Sequence, residues 1–346
     1  MGPVDHRYVI IGAGAIGGAV GGRLHQAGRP AVLVARGEHL RVLQGSGLRL
    51  RTPSEDVRLD VPAVGSPDEV RLTPGDVLVL ATKTQQAGEA LRTWADVPVH
   101  GDDGVLGTAG ERLPVLTALN GVAAERMALR YFAQVVGVCV WMPAVHLVPG
   151  EVIVRGAPRS GMLHLGAVPV GGVPDALLQA VAADLDAAGF DAPLPPDVMP
   201  WKYRKLISNL GNVFQALVAG NGDWRGLERQ AEAEARAVLD AAGIAVTADE
   251  DEAAARAAGF TMRPVPGVPD DVGGSTWQSL QRGTGNVETD YLNGEIVRVA
   301  HGLGRAAPLN AALASLARRA ARTGQAPGSI SAEQLAVELG IEATAQ

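Results

Sequence analysis

Tyr8-Val-Ile-Ile11-Gly12-Ala13-Gly14-Ala15-Ile16-Gly17 is the stretch that decides the fold. A short apolar strand, Tyr8–Ile11, runs straight into three glycines at fixed spacing, and Ala15–Ala27 then follows a helical pattern. Gly12 permits the tight turn, Gly14 lets a pyrophosphate approach the backbone, and Gly17 lets the helix pack close to the sheet. Ala13, Ala15 and Ile16 complete the loop, and the helix N-terminus behind it attracts phosphate. Alone, such glycines are a weak signal; set between strand and helix they predict a dinucleotide site.

Outward from this turn the first half alternates strand and helix. Ala31–Val34, Asp76–Ala81, Pro114–Leu119 and Val135–Val140 read as strands, with a helix near Gln85–Trp94. That rhythm predicts a parallel sheet covered by helices on both faces. Gly101–Gly110 reads as a surface loop, Glu151–Arg155 and Met162–Leu165 as late strands and a candidate hairpin, and Asp175–Ala188 as a helix. Pro193–Pro200 suits a linker. Beyond it the patterns are helical: Trp201–Ala219, Leu227–Ala242, Asp249–Ala258, Glu288–His301, Leu309–Arg322 and Ala332–Leu339. The expected division is an α/β dinucleotide-binding domain over 1–195 and an all-α domain over 196–346.

Composition narrows the function. A net charge of −7 over 346 residues argues against a nucleic-acid or anionic-membrane binder, so a phosphate-bearing ligand needs a local positive site. The single cysteine, Cys139, lies in an apolar run and rules out a disulfide framework or a cysteine-based zinc site. No apolar run is long enough to span a membrane and no leader pattern opens the chain, so a soluble, cytoplasmic protein is expected. The histidines lack metal-binding spacing, no Gly-x-Ser-x-Gly elbow occurs, and no metal is expected. The acidic run Asp249–Glu252 reads as a helix start, with Thr247 and Glu250 as a capping box. Only three lysines, Lys83, Lys202 and Lys205, stand against 27 arginines. A lysine kept in such a chain hints at ammonium chemistry.

The second strand ends Val34-Ala35-Arg36-Gly37, with arginine where an NAD site carries an acid for the ribose hydroxyl. Its guanidinium can pair with a 2′-phosphate, which favours NADP. Lys83 and Asn120 each follow a strand, at the edge where open α/β sheets bind ligands, and read as lining the nicotinamide side of a cleft. In the helical half, Lys205, Asn209 and Asn212 fall at i, i+4 and i+7, within an arc of about 60° on one helix. Two poor helix formers beside a rare lysine suit a polar cleft wall. Ser275 and Glu288 add further polar groups, although Glu288 also suits the start of a helix.

These pieces together resemble the ketopantoate reductase (2-dehydropantoate 2-reductase) family. They are the glycine motif with Val-Ala-Arg36-Gly, the strand-end Lys83, Leu-Asn120-Gly, Lys205-Leu-x-x-Asn209, and Glu288-x-Asp-Tyr-x-Asn-Gly. The resemblance implies a Rossmann-type N-terminal domain, a helical C-terminal domain with the active site between them, and NADPH-dependent reduction of a 2-oxo acid in pantothenate biosynthesis. It implies Lys205 as proton donor, and Lys83 and Asn120 at the cofactor, with Asn120 also near the substrate. It gives Asn209 and Ser275 as substrate ligands and puts Glu288 where lysine, cofactor and substrate meet. A homodimer is allowed. Lys202, three residues before Lys205, is expected to matter much less.

Departures fall on the substrate side. Val213 stands where the family usually has a second asparagine, with Asn212 one position earlier as its replacement, and Gln278-Ser279 stand in place of an aspartate beside Trp277. The alternatives are reduction of another ketone or imine, or a non-catalytic NADPH-binding regulator.

Overall fold

The apolar strands assemble as their alternation requires. A computed structural model describes residues 6–220, 223–269, 273–283 and 285–340. Seven strands form the main sheet, in the order Met162–Ala167, Gln134–Trp141, Pro114–Thr117, Asp76–Leu80, Arg7–Ile11, Ala31–Val34, Ala63–Val64. Neighbours run parallel except Met162–Ala167, which is antiparallel to Gln134–Trp141. Successive side chains of a strand point to opposite faces. Tyr8 and Ile10 therefore enter one apolar cluster with Val77 and Val79, while Val9 and Ile11 enter another with Leu78 and Leu80. Both faces are buried, as a parallel sheet demands.

The chain parts into two compact units, Met1–Lys202 with Ala248–Val268, and Tyr203–Thr247 with Pro269–Gln346. The compact units divide at Lys202/Tyr203, and the segment Ala248–Val268 belongs to the first. There Phe260–Met262 pairs antiparallel with Gly156–Pro158.

Several local expectations need correction. Gly101–Gly110 is no plain loop: Pro98–Gly101 and Gly104–Thr108 form an antiparallel hairpin that leads into the short helix Ala109–Arg112. Glu151–Val154 and Met162–Ala167 do not pair with each other. The former joins a separate four-stranded sheet with Ala144–Val145, Leu48–Arg51 and Asp56–Leu59. The helix Asp249–Gly259 is capped at Ala248 with no side-chain bond, so Thr247 makes no capping box. Glu252 in its first turn is buried and pairs with Arg256 one turn on.

In the second unit the described residues are helical. Leu227, Ala231, Ala235 and Val238 recur on one face of Arg225–Ala241 and are buried. The core gathers Val213, Phe214, Leu217, Ala231, Leu313, Ala317 and Leu335. Pro308–Arg322 starts with proline, and Glu234 accepts from the free N–H groups of Leu309 and Asn310 at 3.1 and 2.9 Å. No described helix is long and apolar enough to cross a membrane.

Candidate active site

Three strand ends lie side by side in the first unit: the glycine turn after Arg7–Ile11, Lys83 after Asp76–Leu80, and Asn120 after Pro114–Thr117. Gly12 has φ +102°, and a Cβ there would press on the backbone of Ala81 and Thr82 at about 3 Å. At Gly17 a Cβ would fall 2.0 Å from the Gly12 carbonyl, so the helix can start this close to the turn only with glycine. At Gly14 a Cβ would meet nothing within 4 Å, so that position opens onto free space. The residues thus fit a dinucleotide: a strained turn, a close helix, and room over Gly14 for a pyrophosphate. Ala13 is buried, while Ala15 and Ile16 are half-buried at the helix start.

Arg36 is exposed at the N-cap of Gly37–Ser46 and makes no side-chain capping bond. Lys83 is the N-cap of Thr84–Ala95, and the Thr84 hydroxyl donates to the Asn120 carbonyl at 3.4 Å. The turns carrying Lys83 and Asn120 are thereby tied to one another. Both residues are half-buried.

In the second unit Lys205 and Asn209 lie one turn apart on the helix Met199–Leu210, Lys205 half-buried and Asn209 buried. The expected continuation to Asn212 fails. The helix ends at Leu210, and Asn212 opens the next one, Asn212–Leu217, so the single-helix arc does not extend to it. Asn212 instead borders Gly274, whose N–H donates to Gln215 Oε1 at 2.8 Å. Next to Gly274, Ser275 donates to Glu288 Oε2 at 3.1 Å. Glu288 is only 4% exposed and opens the 3-10 turn Glu288–Tyr291; a separate helix, Asn293–Gly302, follows it. Partial burial pushes the Arg282 guanidinium down, and the negative Glu288 pulls it back up. Ser275 and Glu288 are thus bonded to each other, and Asn212 lies beside the residue that precedes Ser275.

The substrate-side departures look different in three dimensions. Val213 is fully buried in the apolar core, and Trp277 packs against that same core. Ser279 donates back to the Ser275 carbonyl at 3.0 Å. Val213 and Ser279 lie inside the helical packing, and Trp277 is half-buried at its edge.

Sequence reasoning missed two residues around the cofactor edge and the structural setting of a third. His39 bonds the Ala13 carbonyl through Nε2 at 2.8 Å and accepts the Gly150 N–H at Nδ1 at 2.9 Å. It thus braces the glycine turn as a neutral ring, and burial pushes its pKa down. Its helix, Gly37–Ser46, was not foreseen, and its partners lie far away in the chain. Thr84 escaped notice because its role depends on the Asn120 turn. Lys202, expected to matter much less than Lys205, is buried, and its Nζ lies 2.7 Å from Glu125 Oε1. The scarcity of lysine was the one available signal, and it marked all three lysines equally.

A parallel sheet with a glycine turn opening its first helix, followed by a helical unit, defines a nicotinamide-dependent oxidoreductase of the two-domain reductase kind. The chain matches ketopantoate reductase PanE/ApbA over residues 8–169 and the C-terminal part of the same family over 197–321. It belongs to the ketopantoate reductase family. It is 30% identical over 262 residues to 2-dehydropantoate 2-reductase of Mesorhizobium japonicum, which covers 69% of this chain and 77% of that protein. It is 25% identical to the same enzyme of Pyrococcus horikoshii, across 90% of this chain and 96% of that one. A crystal structure of a family member from Ralstonia eutropha shares 28% identity with a TM-score of 0.71, covering 92% of this chain and 99% of that one. D-mandelate dehydrogenase with NADH and anilino(oxo)acetate aligns with a TM-score of 0.73 over 92% of this chain and 99% of its own; at 23% identity that likeness concerns the fold.

Proposed function

We infer that the protein reduces 2-dehydropantoate to pantoate with NADPH. The observation that carries this is the array at the carboxyl edge of the sheet, where the glycine turn, Lys83 and Asn120 end three adjacent strands. Gly12–Gly17 would hold the pyrophosphate, Arg36 the 2′-phosphate, and Lys83 and Asn120 the nicotinamide end.

NADPH, when bound, supplies a hydride to the ketone carbon. Negative charge then grows on the carbonyl oxygen. In this reading the Lys205 ammonium hydrogen-bonds that oxygen and gives it a proton. Glu288, itself held by Ser275, orients the ammonium and favours its charged form. Asn209, Asn212 and Ser275 bind the substrate through neutral groups, which fix its orientation without adding charge. With Val213 buried in the core, its replacement of the family's asparagine speaks less strongly for a different ketone or imine.

A homodimer and a cytoplasmic site of action belong to the same proposal; a family member from Staphylococcus aureus is described as dimeric. Light scattering giving twice the 35.7 kDa of one chain is the expected result. The decisive experiment follows NADPH oxidation against a panel of 2-oxo acids. Ketopantoate turning over with kcat/KM of about 10⁴ M⁻¹s⁻¹ or more supports the reading. Absence of turnover with every carbonyl, despite tight NADPH binding, leaves the regulatory alternative.

A further inference from the structure

Lys202 is 2% exposed and spends every donor of its ammonium inside the first unit. Nζ lies 2.7 Å from Glu125 Oε1 and donates to the carbonyls of Val138 and Leu119 at 3.0 and 3.3 Å. Glu125 is 1% exposed; its Oε1 also accepts from Thr117 Oγ1 at 2.6 Å, and its Oε2 is buried without a hydrogen-bond partner. A buried ion pair of this kind adds little stability, because desolvation of both charges offsets their attraction. Two apolar side chains would fill the space at lower cost. What the pair does provide is a fixed position for the carbonyls it grips.

Those carbonyls matter through their place in the chain. The strand Pro114–Thr117 has ended, and the chain turns through Leu119, Asn120 and Gly121, the last at φ +77°. Lys202 holds this turn at the Leu119 carbonyl, and Thr84 holds it one residue later at the Asn120 carbonyl. Glu125 lies in Ala123–Ala128, the helix that leaves the same turn, and Thr117 ends the strand that enters it. Strand end, turn and helix are thus fastened around one ammonium.

We propose that Lys202 and Glu125 form a buried positioning pair that fixes the Leu119–Gly121 turn and so aims Asn120 at the nicotinamide and the substrate carbonyl. This rests on the reading of Asn120 as a cofactor and substrate ligand. Neither Lys202 nor Glu125 touches reactants; both act through Asn120.

The test is a cycle of variants: Asn120→Ala, the apolar double replacement Lys202→Met/Glu125→Leu, and the three changes together. The double replacement leaves no buried charge unpaired, and Thr117 retains the Val136 carbonyl at 3.2 Å as an acceptor. Lys202→Met alone would strand a carboxylate and lower the melting midpoint sharply; the double replacement should recover most of that loss. Activity should not recover with it. A turn displaced by up to about 1 Å should cost roughly 10- to 100-fold in kcat. KM for ketopantoate, and Kd for NADPH read by fluorescence titration, should move far less. The triple variant should be no slower than Asn120→Ala, since the pair acts through that residue. A stable double variant with parental kcat, or a triple variant whose losses multiply, overturns the proposal. If Asn120→Ala is itself fully active, the reading of Asn120 falls, and this proposal with it. Should the double variant not fold, Glu125→Gln, which leaves Lys202 an acceptor while loosening its grip, replaces it in the same cycle.

Discussion

The first unit builds its candidate site from turns, and the second builds its own from side chains. Around the cofactor edge, Gly12–Gly17, Lys83 and Asn120 each follow immediately on a strand, so position in the chain nearly dictates position in space. In the second unit, Lys205 and Asn209 lie on one helix, Asn212 on another, Ser275 on a third and Glu288 on a 3-10 turn. Among them Ser275 and Glu288 are joined by a hydrogen bond, which packing between separate elements sets and not proximity in the chain. Backbone turns suit a ligand with fixed phosphates, which N–H groups and a helix terminus can hold. Side chains suit chemistry, where a group must change its protonation state. Under the proposed function the difference becomes a division of labour: binding in the first unit, proton transfer in the second.

Lys205→Ala tests that division most severely. It should cut kcat by about 10²–10⁴ while NADPH affinity stays near that of the parent. Loss of cofactor binding alongside turnover would break the comparison, because the lysine would then serve the first unit's ligand as well. Lys202 is not the control for this experiment. Removing it strands a buried carboxylate and destabilises the first unit. Arg204, half-buried and bonded to Ser208 at 2.7 Å, is the better choice on the same helix.

The first unit should also show a pH dependence arising from its interior. His164 is buried, stacked on Trp201 at 4.0 Å, and desolvation lowers its pKa from 6.5 to about 4. The unfolded chain takes up this proton below pH 6.5 and the folded one only near 4, so acidification favours unfolding across that window. Stability should fall by about 3 kcal/mol between pH 6.5 and 4 on this account. The readout is the difference from His164→Phe, in which that part of the slope should vanish. Equal slopes in the two proteins would mean that the ring is protonated in the fold.

How much of this was legible in the sequence follows the same line. The glycine turn, the parallel strands and the strand-end residues were readable because a period-2 apolar run followed by glycines has few alternative structures. Leu48–Arg51 and Asp56–Leu59 were not foreseen; each is only four residues long and places a charged residue at every second position, so they look like ordinary polar chain. The break at Gly211 was missed because one glycine inside a helical pattern is compatible with continuation. Trp277 and Val213 invited a substrate role by their positions in a motif; the structure buries Val213 in the core and leaves Trp277 half-buried against it. The bracing residues His39, Thr84, Glu125 and Lys202 could not be seen, since each acts on a backbone carbonyl or a side chain from a distant part of the fold.

Cofactor choice is a smaller effect, and it sharpens the account of the first unit. Arg36 is exposed at the N-terminus of its helix, and its guanidinium, which has only donors, does not cap it. Replacing it by aspartate removes a charge-assisted partner for the 2′-phosphate and introduces repulsion. One such contact is worth about 1.5–3 kcal/mol, or roughly 10- to 150-fold. The ratio of NADPH to NADH affinity should fall by that much in Arg36→Asp. Equal affinities in the parent protein would remove Arg36 from the site.

The smallest expected effect separates a glycine kept for the fold from one kept for the ligand. Gly14 has φ −72° and ψ −156°, a conformation open to any residue, and a Cβ there meets no protein atom within 4 Å. Gly14→Ala should therefore leave the melting midpoint unchanged. At Gly17 the added carbon would strike the Gly12 carbonyl, so Gly17→Ala should lower stability and binding together. If the space over Gly14 belongs to the pyrophosphate, its methyl group should weaken NADPH by about tenfold, or about 1.4 kcal/mol, with no loss of fold. Unchanged affinity in a stable Gly14→Ala variant would show that the cofactor's phosphates do not approach the backbone at this turn. The first unit's site would then rest on side chains, as the second unit's does.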